Sequence, residues 1–251
     1  MQMKVIKIIL LSALFTISAT ISATASSADT KYNFEKGQRA QQDILRDARS
    51  KGPEIVDLVG IKPNMQVLDI LGGGGYYSEI INDIVGQGGK VYLHNNQAYM
   101  PYVEKELTAR LNENRLGNVI RWDKEADNLS LKKNNFDAIF FVLGYHDMYH
   151  TTEGWSIDKD DFLKQLDESL KVGGKLLIVD HSAVAGSGTK HSQKLHRIDV
   201  DYVKKELSEK GYKLVKQSNL LANSKDDRMG SPFSKEMRRK TDRFVLLFEK
   251  K

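Results

Sequence analysis

Val67-Leu68-Asp69-Ile70-Leu71-Gly72-Gly73-Gly74-Gly75-Tyr76-Tyr77-Ser78-Glu79 is the stretch that decides the fold. An apolar run passes through an aspartate and enters four consecutive glycines, and apolar residues then recur at helical spacing as far as Val85. The run has the length of a buried strand, and glycines let the chain turn tightly and let a ligand approach the backbone. The helix beyond offers unpaired N–H groups at its start. In an open α/β sheet, ligands bind in the crevice at the carboxyl ends of the strands. A flexible linker would not lie between a buried strand and an amphipathic helix. The spacing is neither GxGxxG nor GxxxxGK[ST], and no lysine follows the glycines. That argues against the usual dinucleotide and phosphoryl-transfer loops.

Outward from this turn, strands and helices alternate. Strands are expected at 66–71, 90–95, 118–122, 136–143 and 175–180, and helices at 77–85, 102–115, 159–170 and 199–210. Glycines stop the helices at Gly86, Gly173 and Gly211. Upstream, 41–49 has helical spacing with Ile44, Leu45 and Ala48 on one side, and Pro53 starts a short helix ended by Gly60. The chain closes on two strands, 212–218 and 243–249, joined only by a loop. This order predicts an α/β, doubly wound, mostly parallel seven-stranded sheet with an antiparallel C-terminal strand pair. No internal repeat and no second domain is visible.

Composition sets the broad class. The 251 residues are 40% apolar and 28% charged, which is the balance of a globular chain. Lys4 and Lys7 precede a mostly apolar run, and Ala23-Thr24-Ala25 supplies the small residues of a cleavage site. Residues 1–25 therefore read as a secretory signal peptide, 26–38 as a flexible polar segment and 39–251 as the domain, with export to the periplasm expected. An uncleaved anchor is the alternative, but the run is short for a full span and carries Ser and Thr. The chain has no cysteine, which excludes a lipoprotein anchor and disulfides. Without Lys4 and Lys7 the formal charge of +5 falls to +3, too small to argue for nucleic acid. The Arg238-Arg239-Lys240 cluster reads as a solvated face.

With Asp69 at the strand end, the glycine stretch resembles motif I of the class I S-adenosylmethionine-dependent methyltransferases, a Rossmann-like family. The resemblance runs from about residue 41 to the C-terminus. It looks closest to a group of predicted bacterial methyltransferases that carry signal peptides. The matching stretches are 67–79, Val142-Leu143-Gly144-Tyr145-His146-Asp147, Val179-Asp180-His181-Ser182-Ala183 with Gly186-Ser187-Gly188, Leu195-His196-Arg197-Ile198-Asp199 and Thr241-Asp242-Arg243-Phe244-Val245-Leu246. The resemblance implies S-adenosylmethionine as cofactor. The loop of Asp69, Gly72, Gly73, Gly74, Gly75 and Tyr76 would wrap its methionine and ribose. Leu71 stands where the family usually has its first glycine. Asn95 or Asn96 stands where an acid bonds the ribose hydroxyls, and an amide lacks a carboxylate's charge-assisted strength. Glu125 or Asp127 would meet the adenine. The 41–49 helix would be a lid, with Arg46 or Arg49 reaching the methionine carboxylate, or else an ordinary solvated helix.

Four polar segments follow expected strand ends or the next helix start: Tyr145-His146-Asp147, His150, Asp180-His181 and His196-Arg197. A parallel sheet gathers its strand ends along one edge, so they should converge beside the glycine turn. Methyl transfer needs a nucleophile held in line with the sulfonium methyl and often a base to remove its proton. The expectation is His146 as base, Asp147 orienting it or holding substrate, and Tyr145 lining the methyl channel. His181 and His196 stand behind them, with Arg197 for an anionic substrate group. The bland alternatives are that Asp147 caps a turn, Asp180 pairs with Arg197 and the histidines are structural. His146 and His150, four apart, with Asp180 or His181, have the makings of a metal site. Nothing resembles HExxH, however, and no metal is expected. The function expected is methyl transfer to a small-molecule acceptor, with no nucleic-acid partner and no stable membrane insertion after cleavage. A ligand-binding or sensing protein on the same scaffold is the alternative, and a metal-assisted hydrolase a third reading.

Overall fold

A strand that is buried on both faces must be covered by helices on both faces, and β1 (Gln66–Ile70) meets that condition. The computed structural model describes residues 38–251. The expected signal peptide and the polar segment up to residue 37 lie outside the described residues. β1 pairs in parallel with β2 (Lys90–Asn95) and β4 (Phe136–Val142). β3 (Val119–Asp123) adds beside β2, and β5 (Leu170–His181) beside β4. β7 (Arg243–Lys250) then runs antiparallel between β5 and β6 (Tyr212–Ser218), giving the order β3-β2-β1-β4-β5-β7-β6. This is the expected seven-stranded mixed sheet. β5 is longer than the sequence predicts: Gly173 and Gly174 do not interrupt it, and Leu170 already pairs with Phe136.

The helices are α1 (Gln41–Ser50), α2 (Gly52–Val59), α3 (Tyr76–Val85), α4 (Met100–Leu111), α5 (Lys159–Ser169), α6 (Ser192–Leu195) and α7 (Val200–Glu209). Neighbouring strand residues serve opposite cores, as the two-residue period requires. Val67, Ala138, Phe140 and Leu177 pack with Ile55, Val56 and Ile81, while Leu68, Ile139, Phe141 and Ile178 pack with Phe162, Leu166 and Val203. Among the described residues no helix is long and apolar enough to cross a membrane.

One ion cluster sets α1 over the sheet edge. Arg110 of α4 is fully buried, and its guanidinium meets Asp43 of α1 at 2.8 Å, Glu106 at 2.6 Å and Glu79 of α3. Removing one member of a buried ion cluster typically costs about 3–5 kcal/mol. α1 thus turns its polar side inward, leaving Ile44 and Leu45, the expected apolar face, 48% and 62% exposed.

Candidate active site

The glycine turn is stitched to the end of β2. Leu71 N–H donates to His94 Nδ1 (3.3 Å), Gly72 N–H to the His94 carbonyl (2.9 Å) and Gly73 N–H to Asn95 Oδ1 (2.9 Å). Asn95 Nδ2 returns a bond to the Gly73 carbonyl (2.9 Å). Burial lowers His94 to about 4, opposed by its bond to the Lys124 carbonyl (3.0 Å). The ring is therefore neutral and donates from Nε2. Leu71 takes φ 51°, the left-handed conformation that suits the family's glycine and strains a leucine by roughly 1–2 kcal/mol. Its side chain lies in the core.

Several cofactor expectations change here. The Asn95 amide is occupied at both ends by Gly73, so it is a latch and not a ribose ligand. Asn96 differs: its Oδ1 is buried with no hydrogen-bond partner. Asp69 is buried and accepts from Ser78 Oγ at 2.7 Å, bracing the start of α3. Burial raises its carboxyl to about 6 against the Ser78 bonds. Tyr76 is also buried. Its hydroxyl donates to Asp47 of α1 (2.5 Å), and the Arg46 guanidinium lies 3.9 Å from its ring centroid. Tyr76 thus ties the turn to α1. Gly74 is a glycine for packing, since a Cβ there would meet the Glu106 carboxylate, and Arg110 Nε donates to its carbonyl. Gly75 N–H is used by Gly72. The turn is therefore no open cradle of N–H groups. At Gly73 the nearest atom to an added Cβ is Val103 Cγ1, 3.9 Å away.

Val103 lines a cavity of about 610 Å³ walled by Tyr99, Tyr102, Leu143, Trp155 and Phe233, with His146, Asp147, His181 and His196 on its polar side. Tyr99 stacks on Trp155 at 5.4 Å and donates to Asp147 Oδ2 at 2.9 Å. Leu143, at the end of β4, is also left-handed (φ 59°). A separate polar hollow of about 480 Å³ lies after β3, lined by Gln97, Glu125 and Asp127. Glu125 accepts from Gln97 N–H at 3.0 Å.

The expected convergence of the histidine segments occurs, but their roles are redistributed. His146 is buried, with Nδ1 donating to Asp180 (2.7 Å) and Nε2 to Asp147 (3.0 Å). Burial alone would lower it, but the Asp180 charge and the Asp147 and Asp180 hydrogen bonds raise it to about 10. Asp147 is held well below the usual carboxylate range: burial opposes this, but bonds from His146 and His196 prevail. With both ring nitrogens engaged by aspartates, neither is open to take a proton from a substrate, which argues against the expectation of His146 as base. His181 is the opposite case. Burial first, then the charges of His146 and Arg243, keep it well below its ordinary value, and Thr241 Oγ1 lies 2.7 Å from Nδ1.

Three further expectations are corrected. Tyr145 is fully buried and bonded to Glu206 (2.5 Å), away from any channel. Arg197 is also fully buried, paired with Asp226 at 2.8 Å and donating to the Ser182 and Gly230 carbonyls, so it meets neither Asp180 nor a ligand. His150 faces the His196 ring at 4.6 Å. The close donor group is His146, Asp147 and His196, whose nearest atoms lie within 4.8 Å of one another. Tyr99, Trp155, Thr241 and Phe233 escaped the sequence reading. Thr241 lay inside a matched stretch, whereas nothing local marks Trp155 or Phe233.

Strand order, glycine turn and clustered polar edge together define a class I, Rossmann-like methyltransferase fold. The sequence model of the ubiE/COQ5 methyltransferase family matches residues 46–218, more than two thirds of the chain. The chain belongs to that family. It is 30% identical over 150 residues to the ubiquinone/menaquinone biosynthesis C-methyltransferase UbiE of Shewanella sp. strain ANA-3, covering 57% of this chain and 55% of that one. To the protein of the same description from Haemophilus ducreyi it is 29% identical over 149 residues, covering 57% and 54%. The chain thus spans about half the length of the curated relatives it matches. In fold it resembles a SAM-dependent methyltransferase from Aquifex aeolicus (TM-score 0.57, 20% identity, 86% of this chain and 98% of that one). It also resembles geranyl diphosphate C-methyltransferase from Streptomyces coelicolor, solved with Mg2+, geranyl diphosphate and S-adenosyl-L-homocysteine (TM-score 0.58, 12% identity, 84% of each chain).

Proposed function

We propose that this protein is an S-adenosylmethionine-dependent methyltransferase acting on a small, largely apolar acceptor. The observation that carries the reading is the 610 Å³ cavity, where an apolar wall faces a histidine–aspartate cluster at the carboxyl ends of β4 and β5. Its size suits a small molecule. Family membership and the named chemistry of the relatives support the reading. The residues fit the cofactor: the orphaned Asn96 Oδ1 suits a ribose hydroxyl, the hollow at Glu125 and Asp127 suits adenine, and Arg46 or Arg49 suits the methionine carboxylate. When bound, the cofactor supplies an electrophilic methyl group on a sulfonium. In this assignment Tyr99, Trp155 and Leu143 orient the acceptor and exclude water. Neutral His181, steadied by Thr241, takes the proton released on methylation, and the His146–Asp147–Asp180 set holds its charge and shape throughout.

Calorimetry with S-adenosylhomocysteine is the first test, followed by turnover of methyl-labelled cofactor with a small-molecule extract. Saturable binding with label transfer is the expected result. Binding without transfer would favour a sensing role, and no binding would sink both. Export after cleavage near Ala25 is part of the proposal, and N-terminal sequencing of periplasmic protein checks it.

A further inference from the structure

A second hollow opens beside the first, and it is built from arginines. Arg46 and Arg49 come from α1, Arg238 and Arg239 from the segment between β6 and β7, and Arg243 from the start of β7. All five line one cavity of about 350 Å³, and no carboxylate lines it. The nearby acids are engaged elsewhere: Asp226 holds Arg197, and Asp242 holds Arg228 at 3.0 Å. Among the described residues none of the five is in an ion pair. Two are nevertheless fixed in place, Arg46 against the Tyr76 ring and Arg243 by donation to the Arg49 carbonyl (2.8 Å). Burial first, then Arg239 and Arg46, lower the Arg49 guanidinium; burial, then Arg46 and Arg49, lower that of Arg243. The Arg238-Arg239 cluster is thus one wall of a concave cationic site and not merely a solvated face. Unpaired like charges in a cleft repel one another and focus the field on an incoming anion. Arginine forks match carboxylate and phosphate oxygens in pairs.

One methionine carboxylate needs no more than the α1 arginines. Arg238, Arg239 and Arg243 form the other side, and three guanidinium charges call for more than one negative charge. The arginine hollow and the apolar cavity share Leu143, His181 and Phe233. A molecule seated in the apolar cavity would therefore extend past His181 into the arginines. We propose that the methyl acceptor is an amphiphile whose multiply charged oxyanion, of the phosphate-ester kind, is held by Arg238, Arg239 and Arg243 while its apolar body lies against Tyr99 and Trp155. The proposal rests on the methyltransferase reading.

The test is calorimetry of the mature chain with inorganic pyrophosphate and, separately, with S-adenosylhomocysteine. The comparison is with an Arg238→Ala/Arg239→Ala variant, whose changes lie on exposed residues. Pyrophosphate should bind saturably to the parent and about tenfold or more weaker to the variant, as loss of two charge-assisted contacts requires. S-adenosylhomocysteine affinity should stay the same. No saturable pyrophosphate binding, or equal binding to both proteins, would overturn the proposal. A parallel loss of S-adenosylhomocysteine affinity would also overturn it, by assigning these arginines to the cofactor. Parent protein that binds pyrophosphate but not S-adenosylhomocysteine would overturn the methyltransferase reading, and with it the acceptor, while leaving an anion site.

Discussion

At His146 both ring nitrogens donate to aspartates, and the raised proton affinity that results is a statement about stability as well as chemistry. A group whose folded value, about 10, exceeds its ordinary 6.5 stabilises the fold fully below 6.5. That contribution is lost as pH climbs through 10. The stability difference between the parent and a His146→Asn variant should therefore shrink steadily from pH 6.5 to pH 10. Urea melts across that range measure it, and a pH-independent difference would mean that the ring is neutral in the folded protein. His181 carries the complementary prediction. Replacing it with Asn should lower methyl transfer about 100-fold or more, as loss of a general base does, while S-adenosylhomocysteine still binds. Unimpaired turnover would remove His181 from the mechanism. Which of these candidate histidines pairs with two aspartates was beyond sequence reading, because His146 and His181 are each histidines after a strand and differ only in what packs against them.

Between elements, the glycine turn and α1 are locked by side chains that come from elsewhere. Arg110→Met takes the guanidinium from buried Asp43 and leaves buried Glu79 with Arg115 alone, so a loss of about 3–5 kcal/mol is expected in chemical denaturation. Hydrogen exchange should show α1 opening first, since Asp43 is one of its ties to the sheet edge. Asn95→Ala removes both bonds to Gly73 and should cost about 1–3 kcal/mol, with weakened S-adenosylhomocysteine binding because the turn loses its shape. An unchanged midpoint would show that the latch is incidental. The glycine stretch announced a turn in the sequence; whether its N–H groups faced a ligand or the protein depended on β2 and α4.

For the molecule as a whole, residues 38–251 form one sheet with two covering layers. A chain lacking residues 1–37 should accordingly unfold in a single cooperative transition, and two transitions in calorimetry would reveal a second folding unit. The alternation of strands and helices, the antiparallel ending and the edge on which polar segments gather were legible from the sequence; the order of the strands in the sheet came from the structure. Apolar run length, helical spacing and glycine stops act over a few residues, and parallel strands necessarily align their carboxyl ends. The partners along that edge were not legible. His146 finds Asp180 across 34 residues, Arg197 finds Asp226 across 29 and Asn95 finds Gly73 across 22. Arginines from three segments meet around one hollow that no local pattern announces. Local sequence determined which elements form; only their packing decided which charges neutralise one another and which stay open to a ligand, because a side-chain contact between distant segments exists only once the fold has closed around it.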